Sequence, residues 1–163
     1  MAETKKIKIP SSNLKASKLS DIGFVGQPHK INKELLKWLL QSDLVPVISP
    51  IGFDKSFETF NINADIMAGS VASNINSERL ILLTDVDGVL DKKGNLLTEI
   101  SLNDIKKLIK NGTISGGMIP KIETCVNAVR EGVKAAVILN GKVPHAILLE
   151  IFTERGVGTL ITS

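Results

Sequence analysis

A chain of 163 residues, 43% hydrophobic and 23% charged, is sized and composed for one soluble α/β domain with a sizeable core. Its formal net charge of +3 comes from scattered lysines, and with no tyrosine it lacks the stacking platforms of a nucleic-acid binder. No apolar run reaches the ~20 residues that span a bilayer and no signal core follows Met1, so a cytoplasmic or plastid setting is expected, without membrane or nucleic-acid partners.

The opening MAETKKIKIPSSNLKASK carries Lys5, Lys6, Lys8, Lys15 and Lys18 against Glu3, and residues 1–20 read as a basic, partly ordered tail. INKELLKWLLQS then sets Leu35, Leu36, Leu39 and Leu40 at helical spacing. LVPVISPIGF reads as a buried strand ending at Pro50 and Gly52, with a polar loop from Asp54 to Glu58. A helix is expected from Ala64 to Asn74. RLILLTDVDGVL holds a strand from Leu80 to Thr84, too uniformly apolar for a sheet with one wet face. A turn at Lys92 to Gly94, a helix opening at a Ser101 cap and a helix from Pro120 to Glu131 follow, with Cys125 as a small buried hydrophobe. Strand AAVILN, helix HAILLEIF and strand GTLIT close the chain. Strands alternating with helices predict a layered α/β fold on a mostly parallel sheet.

In such sheets ligands gather beyond the carboxyl ends of the strands, often against helix N-termini. NINAD, TDVDG and SGGMIPK all fall there. Gly116 and Gly117 let backbone N–H groups approach a ligand, Pro120 suits a first helical turn and Lys121 follows, so a cation and amide donors would flank an anion. An ordinary loop into a helix would use the same residues. TDVDG resembles the first motif of the haloacid dehalogenase phosphatases, where Asp85 would be the nucleophile and Asp87 the acid/base. The acidic pair which that mechanism needs downstream is missing from NGKVPH and the chain end, and two aspartates in a strand-ending turn are the plain alternative. In NINAD, Asn61 is a candidate cap and Asp65 sits where the helix dipole favours a carboxylate. Neither GxxxxGK[ST] nor GxGxxG occurs, and His29 and His145 lack zinc-ligand spacing.

Taken together, DIGFVG, PVISPIG, NINAD, LILLTDVDGVLD, GTISGGMIPK and VPHAILLEIFTERGVGT resemble, in order and spacing, the C-terminal, nucleotide-binding half of the acetylglutamate kinases. These are enzymes of the amino acid kinase superfamily. The resemblance implies that residues 21–163 are the nucleotide-binding portion of such a domain, a truncated α-β-α sandwich. It implies that ATP phosphorylates the side-chain carboxylate of N-acetyl-L-glutamate on the route to arginine. Mg²⁺ would be held mainly by the nucleotide, with no metal site on the protein. A carboxylate nucleophile is already ionised at neutral pH, so the chemistry calls for positioning and positive charge rather than a general base.

The resemblance further implies that Lys121 stabilises the transition state, Asp65 orients the catalytic lysines and Asn61 contacts acetylglutamate. Asp85, Val86, Asp87, Gly88, Val89 and Leu90 would flank ATP, as would Thr113, Ile114, Ser115, Gly116 and Gly117. The ending resembles arginine-inhibited members, with Glu150, Gly156 and Gly158 as a candidate site for L-arginine; a core helix and turn is the alternative. Nothing in MAETKKIKIPSSNLK matches the first lysine, glycine-rich loop and substrate arginine of the family's N-terminal half. Weak nucleotide binding with little or no turnover is therefore expected unless that half is supplied in cis or in trans. A nucleotide- or arginine-responsive binding module without catalysis, and a phosphatase using Asp85, are the other readings.

Overall fold

The structure, a computed structural model, describes residues 2–10, 19–154 and 156–163. Its elements run β1 (Ala2–Pro10), β2 (Leu19–Ile31), α1 (Lys33–Gln41), β3 (Ile51–Phe53), β4 (Thr59–Ile62), α2 (Ala64–Asn74), β5 (Arg79–Thr84), β6 (Glu99–Ser101), α3 (Leu102–Lys110), α4 (Met118–Arg130), β7 (Ala135–Asn140), α5 (Ala146–Phe152) and β8 (Thr159–Thr162). The α/β class is as expected. The strands divide between two mixed sheets, and the chain between two compact units, Met1–Ile75 and Asn76–Ser163.

In the first unit β1, β2, β4 and β3 close on one another, with antiparallel β1–β2 and β3–β4 pairs joined by parallel β1–β3 and β2–β4 pairs. The stretch read as a tail thus contains a strand at 2–10, while residues 11–18 lie outside the described residues. Alternation in Lys6–Ile7–Lys8–Ile9 is the period-two signal that a strand needs. Asn32 caps α1 by accepting from the Leu35 N–H at 3.1 Å. Leu36 joins Ala2, Ile31, Ile62 and Met67 in the core of this unit, with Val71 and Ile75 packed against it. LVPVISPIGF corrects the sequence reading, because only Ile51–Phe53 is strand and Val45 and Val47 are 89% and 95% exposed. Pro46 and Pro50 each remove an N–H from a ladder, so this segment is a poor strand however apolar its side chains. The short strand β4, inside what read as loop and helix approach, was not expected.

The second unit is built on a sheet of order β5-β7-β8-β6, parallel at β5–β7 and β6–β8 and antiparallel at β7–β8. Ala136 to Leu139 are buried on both faces, which accounts for the uninterrupted apolar run of β7. Val137 and Leu139 meet Ala146 of α5 and the flanking Ile81, Val143, Val157 and Leu160. α4 packs on the same sheet and contributes Ile122, Cys125 and Ala128 to the buried set. Ile122→Ala, at a residue 0% exposed, is expected to cost about 2–5 kcal/mol, read as a lower urea midpoint at unchanged slope. Ser101 caps α3 as expected, accepting from the Asp104 N–H. In the turn around Lys92, the Asp91 carboxylate accepts from the Asn95 and Lys93 N–H groups at 2.9 and 2.7 Å. Those hydrogen bonds, the one from Asn95 foremost, hold its pKa below the usual carboxylate value.

Candidate active site

Four residues link α4 to β7, so the helix must run back against the strand it precedes. A 13-residue helix and a six-residue strand are both about 20 Å long, which sets the N-terminus of α4 level with the carboxyl ends of β5 and β7. The second unit therefore brings two of the three predicted segments, 85–90 and 113–121, to one end of its sheet.

The loop into α4 is tied down at its base and open at its tip. The Asn111 N–H closes on the Lys107 carbonyl at 2.9 Å and the Ile114 N–H on that of Leu108 at 3.0 Å. The Ile114 side chain is buried, while Ser115, Gly116 and Gly117 are exposed. Thr113, half-buried, donates its N–H to Asn111 Oδ1 at 3.0 Å. Gly116 has φ +55°, and nothing lies within 4 Å of where a Cβ on Gly116 or Gly117 would stand. No side chain caps α4 and no acidic residue occupies its first turn. Lys121, half-buried, follows three residues after Met118. The Met118 and Ile119 N–H groups donate to the Ser115 and Gly116 carbonyls at 3.2 Å, so what this helix N-terminus offers an anion is the positive end of the dipole and the exposed backbone of the loop ahead of it.

The turn after β5 is held more rigidly. Asp85, Val86 and Asp87 are exposed, Gly88 and Val89 are buried, and Leu90 is exposed. Asp87 Oδ1 accepts from Asn140 Nδ2 at 2.8 Å, and the Val89 N–H donates to Thr159 Oγ1 at 2.8 Å. Gly88 has φ +145°, and a Cβ there would stand 2.5 Å from Thr159 Oγ1, so only glycine fits. Asn140 and Thr159 were missed in the sequence; their signal was position, one at the carboxyl end of a core strand and one opening the strand beside it.

Asn61 and Asp65 belong to the first unit. Asn61 is exposed on β4 and does not cap α2; Asn63 does, its Oδ1 accepting from the Ile66 N–H at 3.2 Å. The residue nearest the helix wins because a cap must sit one position before it, and Asn61 is left with its side chain on a strand. Asp65 occupies the first turn of α2. Glu150 is 7% exposed on α5, with Oε1 3.6 Å from Arg79 Nη1 and Oε2 accepting from the Val157 N–H at 2.9 Å. Gly156 lies directly against that carboxylate, and Gly158 against the Ile138 backbone, where no side chain fits. Glu150 thus already holds a guanidinium and the loop before β8. Among the described residues no group of three or more His, Cys, Asp or Glu is arranged to hold a metal, and no helix is long and apolar enough to cross a membrane.

The sequence profile of the amino acid kinase family matches residues 2–140. The chain belongs to the amino acid kinase family. Among individual relatives, this family member is 54% identical over 154 residues to an acetylglutamate kinase of Bartonella tribocorum, 94% of this chain and 50% of that one. It is 52% identical over 158 residues to one of Nitrobacter winogradskyi, 97% of this chain and 52% of that one. The chain spans about half the length of the curated relatives it matches. Its structure superposes on an N-acetylglutamate synthase from Neisseria gonorrhoeae, solved with coenzyme A and L-arginine, with TM-score 0.88 at 26% identity over 99% of this chain and 36% of that one. A carbamate kinase from Giardia lamblia bound to AMP-PNP shares the fold, with TM-score 0.65 at 20% identity over 95% and 52% of the two chains.

Proposed function

We propose that this chain is the nucleotide-binding portion of an acetylglutamate kinase, which transfers the γ-phosphoryl group of ATP to the side-chain carboxylate of N-acetyl-L-glutamate. The observation that carries this reading is the N-terminus of α4, with two open glycines ahead of it, no side-chain cap and Lys121 in its first turn. The identity to acetylglutamate kinases over nearly all of this chain supports the choice of acceptor.

In the reaction a carboxylate oxygen of acetylglutamate forms a bond to the γ-phosphorus as the bond to the β,γ-bridging oxygen breaks, giving an acyl phosphate and ADP. Negative charge accumulates on the transferring group, and Lys121 with the amides of 115–117 would face it. The 85–90 turn would flank the nucleotide, Asn61 would contact acetylglutamate and Asp65 would orient the lysines. Mg²⁺ would be held mainly by the nucleotide rather than by side chains of this chain, and would supply positive charge against the phosphates.

On this reading a second, complementary half, in cis or in trans, is the partner needed for full turnover, supported by relatives about twice the length of this chain. Acetylglutamate-dependent ADP release is expected to be little or nothing from the chain alone and substantial once that half is supplied. Robust release from the chain alone would reject the requirement, and none from the combination would reject the kinase reading. Phosphomonoester hydrolysis without ATP, abolished by Asp85→Asn, would instead favour phosphatase chemistry. A second reading, ligand binding without turnover, is favoured by the likeness to a synthase solved with L-arginine. Under it an arginine ligand at Glu150 would compete with Arg79 for the same carboxylate.

A further inference from the structure

We infer that Asn140, which belongs to none of the motifs, is a positioning residue that clasps Asp87 and so fixes the 85–90 turn for the nucleotide; this rests on the nucleotide reading of that turn. Thr84 and Asn140 are register partners and the last residues of β5 and β7. One more backbone bond, from the Gly141 N–H to the Thr84 carbonyl at 2.8 Å, closes the ladder. Beyond it Asp85, Val86 and Asp87 are exposed and have no strand to follow. An unsupported turn of this kind would sample many backbone conformers, and a ligand would have to order it on binding.

Asn140 supplies the missing support with both ends of its side chain. Its Nδ2 donates to Asp87 Oδ1 at 2.8 Å, and its Oδ1 accepts the Lys142 N–H at 2.9 Å. The amide is thus fixed by the turn that follows β7 while it grips the turn that follows β5. A short side chain that both donates and accepts is required here. Aspartate would set a second carboxylate against Asp87, and leucine would keep the shape with neither bond. Because the donor is neutral, Asp87 is held without an opposite charge being placed on it. Thr159 grips the same turn two residues later through the Val89 N–H. Together they hold the turn from β7 and β8, two neighbouring strands of the same sheet.

The test uses the full chain, with amide hydrogen exchange read in the absence of ligand and ADP affinity read by calorimetry. Asn140→Leu is expected to speed exchange at 86–90, leave exchange in α4 and the melting temperature nearly unchanged, and raise the Kd for ADP about tenfold, the worth of one hydrogen bond to a charged group. The swapped pair Asp87→Asn with Asn140→Asp restores a donor facing an acceptor, and should recover slow exchange in the turn. Unchanged exchange at 86–90 in Asn140→Leu, faster exchange throughout the second unit, or failure of the swap to recover it would overturn the clasp. If the parent protein binds no ADP, the nucleotide reading falls, and the exchange data, taken without ligand, still decide whether Asn140 holds the turn.

Discussion

Gly88→Ala is expected to destabilise the second unit by about 2–5 kcal/mol and to abolish measurable ADP binding at sub-millimolar concentrations. Two costs combine. The backbone at φ +145° is one that side-chain-bearing residues rarely adopt, and the new Cβ would stand 2.5 Å from Thr159 Oγ1 and 2.8 Å from Leu96 Cδ1. Relief requires the turn to lift away from β8, which breaks the bond from the Val89 N–H to Thr159 and shifts the turn proposed to flank the nucleotide. Urea denaturation reads the first effect and calorimetry the second. A variant of parental stability and affinity would mean that the turn moves freely and that its geometry matters to neither.

Lys121→Met is the second large effect, and it falls on rate. With the complementary half supplied, kcat is expected to drop by about 10²–10³, the usual cost of removing one group that meets transition-state charge, with a smaller change in KM for ATP. Methionine keeps most of the aliphatic stem, so packing of the half-buried first turn of α4 should survive and the urea midpoint should stay near the parental value. A fall in stability equal to the fall in rate would assign Lys121 a structural part instead. A KM effect without a kcat effect would place its charge in ground-state binding alone.

What could be read from the sequence, and what could not, follows from the range of the forces involved. α2, α3, β7 and β8 match their expected positions closely because their signals are local: a capping side chain, an amphipathic period, an uninterrupted apolar strand. The glycines and Lys121 stood out because bare backbone before a lysine is a local pattern too. Strand pairing is not local. β1 gains its structure from partners far along the chain, Ala2 from Ile31 and Gly52, and β4 adds to its neighbour β3 a distant partner, Val25 for Asn61, that no short window of sequence contains. The apolar run at 44–50 misled for the complementary reason, since its side chains favour a strand and its prolines deny it the ladder. Asn140 and Arg79 show the same limit at the level of single side chains: each acquires its role from a partner 53 and 71 residues away. The cap at Asn63 rather than Asn61 turned on a shift of two residues, which pattern alone resolves poorly.

Amide chemical-shift mapping of the chain during titration with ADP and Mg²⁺ decides whether the second unit binds an adenine nucleotide between the start of α4 and the turn after β5. Saturable shifts concentrated at Ser115–Gly117 and Asp85–Leu90, weakened in Lys121→Met, are expected. An absence of saturable shifts, or shifts confined to residues away from both segments, would contradict it.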